Sequence, residues 1–114
     1  MITNTNKSNF NVAMGGVLRK IRESKTVPNP KTGKLLKMTQ TNVANHLGVT
    51  FQQIQKYEDG RNGLSSQRLY YVCDYFGTKP DSVFEQIDMK IKVLEQNERP
   101  LIQNLKAKNN ETEN

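Results

Sequence analysis

Apolar residues recur along this chain at helical spacing. Met14, Val17, Leu18 and Ile21 fall at i, i+3, i+4 and i+7, one face of a helix. Gly15 and Gly16 lie inside that helix, each costing about 1 kcal/mol relative to Ala. A close approach of a second helix near Gly16 would account for that glycine, and the pattern gives no reason for Gly15. The helix should stop before Val27-Pro28, because a residue preceding proline avoids the α region. Pro28, Pro30 and Gly33 mark a loop, and a short hairpin between Thr26 and Leu36 is expected around it.

Thr39 suits the N-cap of a second helix burying Val43, Ala44 and Leu47, with Gly48 as its left-handed stop. Thr50 then caps a third helix, and Gln53 three residues on predicts a capping box. Ser65 caps a fourth helix, with Leu64 and Leu69 as a hydrophobic staple, a buried stripe of Leu69, Val72, Cys73 and Phe76, and Gly77 as its end. Pro80 opens a fifth helix carrying Val83, Phe84, Ile87, Ile91 and Leu94, which Pro100 should kink or restart. The polar ends lack periodicity. The expected organisation is a flexible arm at 1–9, a domain at 10–84, a helical extension at 85–108 and a disordered tail at 109–114.

Composition narrows the partners. Hydrophobic residues make up 34% of 114, mean hydropathy is -0.77, and the net charge is +6, so the core is small and the surface favours an anionic ligand. No stretch approaches the roughly 20 apolar residues of a membrane span, which leaves nucleic acid ahead of a membrane surface. The N-terminus has no apolar run of signal-peptide type, so a cytoplasmic location is expected. Cys73 has no second cysteine to pair with, and His46 with Cys73 does not make a metal site. No cofactor and no metal are expected. No Ser/His/Asp set or paired carboxylates stand out, which argues against an enzyme. Within 114 residues no separate ligand-binding domain is expected.

The segment 39–60 carries the chemistry. Ala44, Gly48 and Ile54 stand where two steeply crossing helices need a small residue, a glycine turn and an apolar anchor. At about 100° per residue, Ile54 and Tyr57 face one way on the third helix and Gln52, Gln55 and Lys56 the other, with Phe51 and Gln53 on the flanks. Gln bonds bidentately to adenine, Lys donates to guanine, and an aromatic edge touches a thymine methyl. A merely solvated polar face is the alternative that these residue types leave open.

Leu18 to Phe84 resembles the lambda-repressor-like helix-turn-helix family, also called the Cro/C1 or XRE type. The resemblance lies in Gly16-Val17-Leu18-Arg19-Lys20-Ile21-Arg22, Thr39-Gln40, Val43-Ala44 and Leu47-Gly48-Val49-Thr50. It continues through Gln53-Ile54-Gln55-Lys56-Tyr57-Glu58-Asp59-Gly60, Ser65, Leu69-Tyr70 and Val72. It implies an all-α, five-helix DNA-binding domain whose third helix enters the major groove. By position, Gln40, Thr50, Phe51, Gln52 and Lys56 fall where the family commonly meets DNA. Glu58 falls where a carboxylate often pairs with a first-helix arginine, here Arg22, as a structural ion pair. Arg61 and Asn62 follow the third helix, where backbone phosphate is often contacted; a plain turn is the alternative.

Two features depart from the family. A basic loop, residues 24–37, separates helices one and two, and Lys31, Lys34 and Lys37 there either grip phosphates or keep the loop soluble. The chain also continues beyond the fifth helix as a short heptad seam of Ile87, Ile91, Leu94, Leu101 and Leu105 broken by Glu98 and Pro100. That seam either folds back or, with Tyr71 and Tyr75, pairs two subunits, and the family's habit of binding two-fold operators favours a homodimer. The function expected is a sequence-specific regulator of transcription on double-stranded DNA, repressing from a two-fold operator. The rivals are an antitoxin whose extension masks a toxin, and a protein-interaction module on the same fold.

Overall fold

Helix α1 (Asn4–Glu23) lies beneath the rest of the domain and presents Ala13, Met14, Val17, Leu18 and Ile21 as the floor of the core. The computed structural model describes the backbone of residues 4–113 and the side chains of residues 9–97. After α1 the chain forms an antiparallel ribbon, β1 (Thr26–Pro28) and β2 (Leu35–Lys37), in the register Val27↔Leu36. Helices α2 (Gln40–Leu47), α3 (Phe51–Glu58), α4 (Ser66–Phe76) and α5 (Pro80–Glu113) follow. Among the described residues the fold is helical with this one small ribbon, and the ribbon lies where the hairpin was expected.

Capping follows the residues that favour it. Thr39 is extended at the head of α2 and closes a reciprocal box with Asn42: the Asn42 N–H donates to Thr39 Oγ1 and the Thr39 N–H to Asn42 Oδ1. The box expected at Thr50 is therefore found one helix earlier, although Thr50 Oγ1 does accept from the Gln53 N–H at 3.2 Å. Ser65 caps α4 through the Arg68 N–H. Gly48, at φ 69°, ends α2 and sets the tight turn into α3.

Val43 and Ala44 from α2, Ile54 and Tyr57 from α3, and Leu69, Val72, Cys73 and Phe76 from α4 close over α1. Val83 and Ile87 of α5 complete the same core. Phe84, counted with the apolar residues of that helix, is instead 49% exposed.

The two glycines of α1 exchange roles. A Cβ on Gly15 would overlap the Tyr57 carbonyl oxygen and stand 2.8 Å from that of Glu58, so α1 and α3 touch through backbone at Gly15. A Cβ on Gly16 would meet only the end of the Lys90 side chain. The close approach expected at Gly16 is thus one residue earlier.

Three boundaries move. The arm placed at 1–9 is helical from Asn4, because adding residues to a turn already fixed by Phe10 and the core needs no new nucleus. The tail placed at 109–114 is helical as far as Glu113, and α5 passes through Pro100 without a break in the helix. The division at 84/85 falls inside α5, and Ile87 beyond it is 1% exposed. Ile87 therefore belongs to the core of its own domain and is removed from the dimer surface. Ile91 and Leu94 are half-buried against that same core, which leaves only their outer edges for a partner. Leu101 and Leu105 of the seam lie outside the described side chains.

Candidate nucleic-acid interface

Two side chains hold α3 to the domain from below: Ile54 is 3% exposed and Tyr57 2%. The Tyr57 hydroxyl accepts from Arg68 Nη1 at 2.9 Å, so its polar end is satisfied from α4. Opposite them Gln52 and Lys56 are exposed and Phe51 is 43% exposed at the first position of the helix. Gln55 is half-buried, on the flank of that face rather than at its centre. Thr50, also exposed, accepts the Gln53 N–H on its hydroxyl oxygen and keeps its own O–H to donate.

Beyond α3, the Arg61 and Asn62 N–H groups both donate to the Lys56 carbonyl, at 2.9 and 3.3 Å, closing the end of the helix. Gly60 takes φ +76° there and lies against the Val12 backbone, leaving no room for a side chain. The Arg61 guanidinium is exposed and donates to Asp59 Oδ2 at 3.0 Å. An exposed pair of this kind is worth little, so Arg61 can exchange Asp59 for another anion.

One polar cluster fixes the angle between α1, α2 and α3. Arg22 Nε and Nη2 donate to the two Glu58 oxygens at 2.7 and 3.0 Å, a bidentate pair with the Glu58 side chain 4% exposed. Arg22 Nη1 donates to the Met38 carbonyl at 3.0 Å. The pairing of Arg22 with Glu58 is the one expected. Gln40, which falls where the family commonly meets DNA, donates its Nε2 to Glu58 Oε1 at 2.9 Å. Its other N–H and its carbonyl oxygen remain for a second contact. The link from Gln40 to Glu58 spans 18 residues and the one from Arg68 to Tyr57 spans 11. Neither has a periodic signal in the sequence that could have revealed it.

Lys31, Lys34 and Lys37 are exposed on the ribbon and its loop. Tyr71 is 47% exposed on α4, whereas Tyr75 is half-buried with its ring stacked on His46 at 4.2 Å. Among the described residues no three His, Cys, Asp or Glu side chains gather as a metal site, and no helix is long and apolar enough to cross a membrane.

Two short helices joined by a left-handed glycine, the second braced by buried Ile54 and Tyr57 and bare on its outer side, define a helix-turn-helix protein. Residues 13–85 match the family described as a helix-turn-helix domain, and the chain belongs to that family, not to a family of enzymes. It is 42% identical over 51 residues to a Rhodospirillum rubrum protein described as an uncharacterized transcriptional regulator in the ATPase CF(0) region. That match covers 45% of this chain and 47% of the relative. It is 40% identical over 55 residues to an uncharacterized HTH-type transcriptional regulator of Sinorhizobium fredii, covering 48% of this chain and 38% of the relative. The matches thus span less than half the length of these curated relatives. In three dimensions the chain resembles the clp gene regulator ClgR from Corynebacterium glutamicum. The TM-score is 0.64 at 22% identity, over 87% of this chain and 93% of that one, and this likeness shows the fold.

Proposed function

We propose that this protein regulates transcription by binding a specific sequence of double-stranded DNA, as a repressor that occupies a promoter in the cytoplasm. The observation that carries the reading is the outer face of α3. Gln52 and Lys56 are exposed there on a helix whose opposite side is locked by Ile54 and Tyr57. Gln52 and Lys56 read bases, with Gln55 at the edge of the reading face and Phe51 adding an apolar contact. Gln40, Thr50, Arg61 and Asn62 hold phosphates on either side. The names of the relatives, as transcriptional regulators, support the same function.

Two copies bind a two-fold operator, placing their α3 helices about 34 Å apart on half-sites one turn apart. Tyr71, with the exposed edges of Tyr75, Ile91 and Leu94, is the surface offered to the second copy. The test is selection of bound duplexes from random DNA at several salt concentrations. A repeated half-site with two-fold spacing and a steep salt dependence is the expected result. Retention of duplexes without any shared sequence would refute base reading, and a single unrepeated site would refute the dimer.

A further inference from the structure

The ribbon between α1 and α2 exposes apolar surface that the fold does not use. Directly opposed residues of an antiparallel pair share a face. Val27 and Leu36 therefore face one way, and Thr26, Pro28, Leu35 and Lys37 the other. Val27 is half-buried against the core, so its face turns to the body. On the outward face Leu35 is 64% exposed. An isolated two-stranded ribbon is marginal in water, and most of the Leu35 side chain is left to solvent.

Its charge has one sign. Residues 24–38 contain Lys25, Lys31, Lys34 and Lys37 and no acidic residue. The tip is preorganised: the Asn29 N–H donates to the Lys34 carbonyl and the Gly33 N–H to the Asn29 carbonyl, both at 2.8 Å. Asn29 Oδ1 accepts from the Lys31 N–H at 2.8 Å. A loop already fixed loses little entropy on meeting a partner.

Position supplies the rest. The Met38 N–H donates to the Lys25 carbonyl and closes the ribbon, and the next residue, Thr39, caps α2. The Met38 carbonyl is tied through Arg22 to Glu58 at the end of α3. In helix-turn-helix docking the first helix of the motif crosses the phosphate backbone. The ribbon thus starts at the edge of the groove that α3 would occupy. From Lys25 to Pro30 the chain spans up to about 17–20 Å at roughly 3.3 Å per residue. That is enough to cross one strand and reach the neighbouring minor groove, itself about 6 Å wide.

We infer that the Thr26–Lys37 ribbon is a wing that grips the same duplex beside the recognition helix. Lys31 and Lys34 neutralise phosphates of the flanking strand, and Leu35 packs on sugars lining the adjoining minor groove. This rests on the DNA-binding reading above and adds to it a second, flanking contact.

Hydroxyl-radical footprinting and salt titration on a selected duplex test it, with wild type, a Lys31→Gln/Lys34→Gln double variant, Leu35→Asn, and Gln52→Ala as the control. All four substituted side chains are exposed, and equal thermal midpoints would show that folding is intact. Wild type should protect sugars beyond the stretch covered by α3. The double variant should lose that protection and lower the log–log salt slope by about 1.8, at about 0.9 per phosphate, while keeping the base preference. Leu35→Asn should lose the flanking protection with the slope unchanged. Gln52→Ala should do the reverse, keeping the flank and losing preference at one base. Wing variants that match wild type in footprint and slope would overturn the wing alone. A wild type that selects no duplex would overturn the DNA reading and the wing together. Leucine-dependent binding to phosphatidylserine vesicles with the DNA footprint unaltered would assign the ribbon to a membrane and equally overturn the proposal.

Discussion

Gln40 donates its side-chain amide to the same Glu58 oxygen that receives Arg22 Nη2, at 2.9 and 3.0 Å. The carboxylate at the end of α3 therefore fixes both the helix beneath it and the first residue of the helix before it. A side chain that would face phosphate is held in place by a buried charge.

Removing Arg22 should unfold much of this arrangement. Arg22→Met leaves Glu58 buried without its cation, and breaking one side of a buried pair costs about 3–5 kcal/mol. Gln40→Ala removes one hydrogen bond to a charged acceptor, about 1.5–3 kcal/mol, and leaves the ion pair intact. Urea unfolding of the two variants should rank them in that order, and equal midpoints would contradict the role given to Arg22.

Gly15→Ala and Gly16→Ala should differ in sign. At Gly15 the methyl overlaps the Tyr57 backbone carbonyl, which cannot move aside cheaply. The strain, about 1–3 kcal/mol for overpacking, should outweigh the gain in helix propensity. At Gly16 only the tip of Lys90 is in the way, so the variant should be stabilised by up to about 1 kcal/mol. Thermal unfolding of the pair decides it, and a stabilised Gly15→Ala would show that α1 and α3 do not touch there.

Gln52→Ala should cost about 1–3 kcal/mol of binding and relax preference at one base position. Arg61→Ala should instead weaken all sequences alike. Competition binding on single-base variants of the selected duplex separates the two, and an equal loss on every sequence for Gln52→Ala would remove it from the reading face.

Cys73 is completely buried, and that burial pushes its thiol above the ordinary range. A thiol kept protonated and covered is a poor nucleophile. It should react with a thiol reagent only as the protein unfolds, at a rate that rises with urea. Rapid stoichiometric labelling of the folded protein would show that the core opens at α4.

Acid should act modestly through Glu23. The hydrogen bond from Arg19 at 2.8 Å holds its carboxyl below the usual value. The folded group therefore keeps its charge to lower pH than the unfolded one. Its small contribution is present above the unfolded value, about 4.3, and is lost as pH falls through the lower, folded value. The difference in urea midpoint between wild type and Glu23→Gln should shrink across that window.

Much of the fold was legible in the sequence because it is written in local rules. Thr39, Ser65, Gly48 and Gly77 sit at helix ends where their side chains or backbones are favoured, and the apolar stripes of α1, α3 and α4 follow one helical period. The exposed face of α3 at Gln52 and Lys56 was legible for the same reason. The placement of Ile87 was not. A seam on α5 has the same spacing whether it meets a second chain or its own domain, and only packing against α1 and α4 distinguishes them.

By itself the sequence determined the helices of the described residues, the turn between the two that matter, the place of the ribbon and the exposure of Gln52 and Lys56 on the outer side of α3. These depend on neighbours a few positions apart. Tertiary structure alone decided that Gly15 is the point where two backbones meet, that Glu58 gathers Arg22 and Gln40, and that α5 begins in the core. Each of these joins residues far apart in the chain, where distance in space is set by how the helices pack and leaves no period to read.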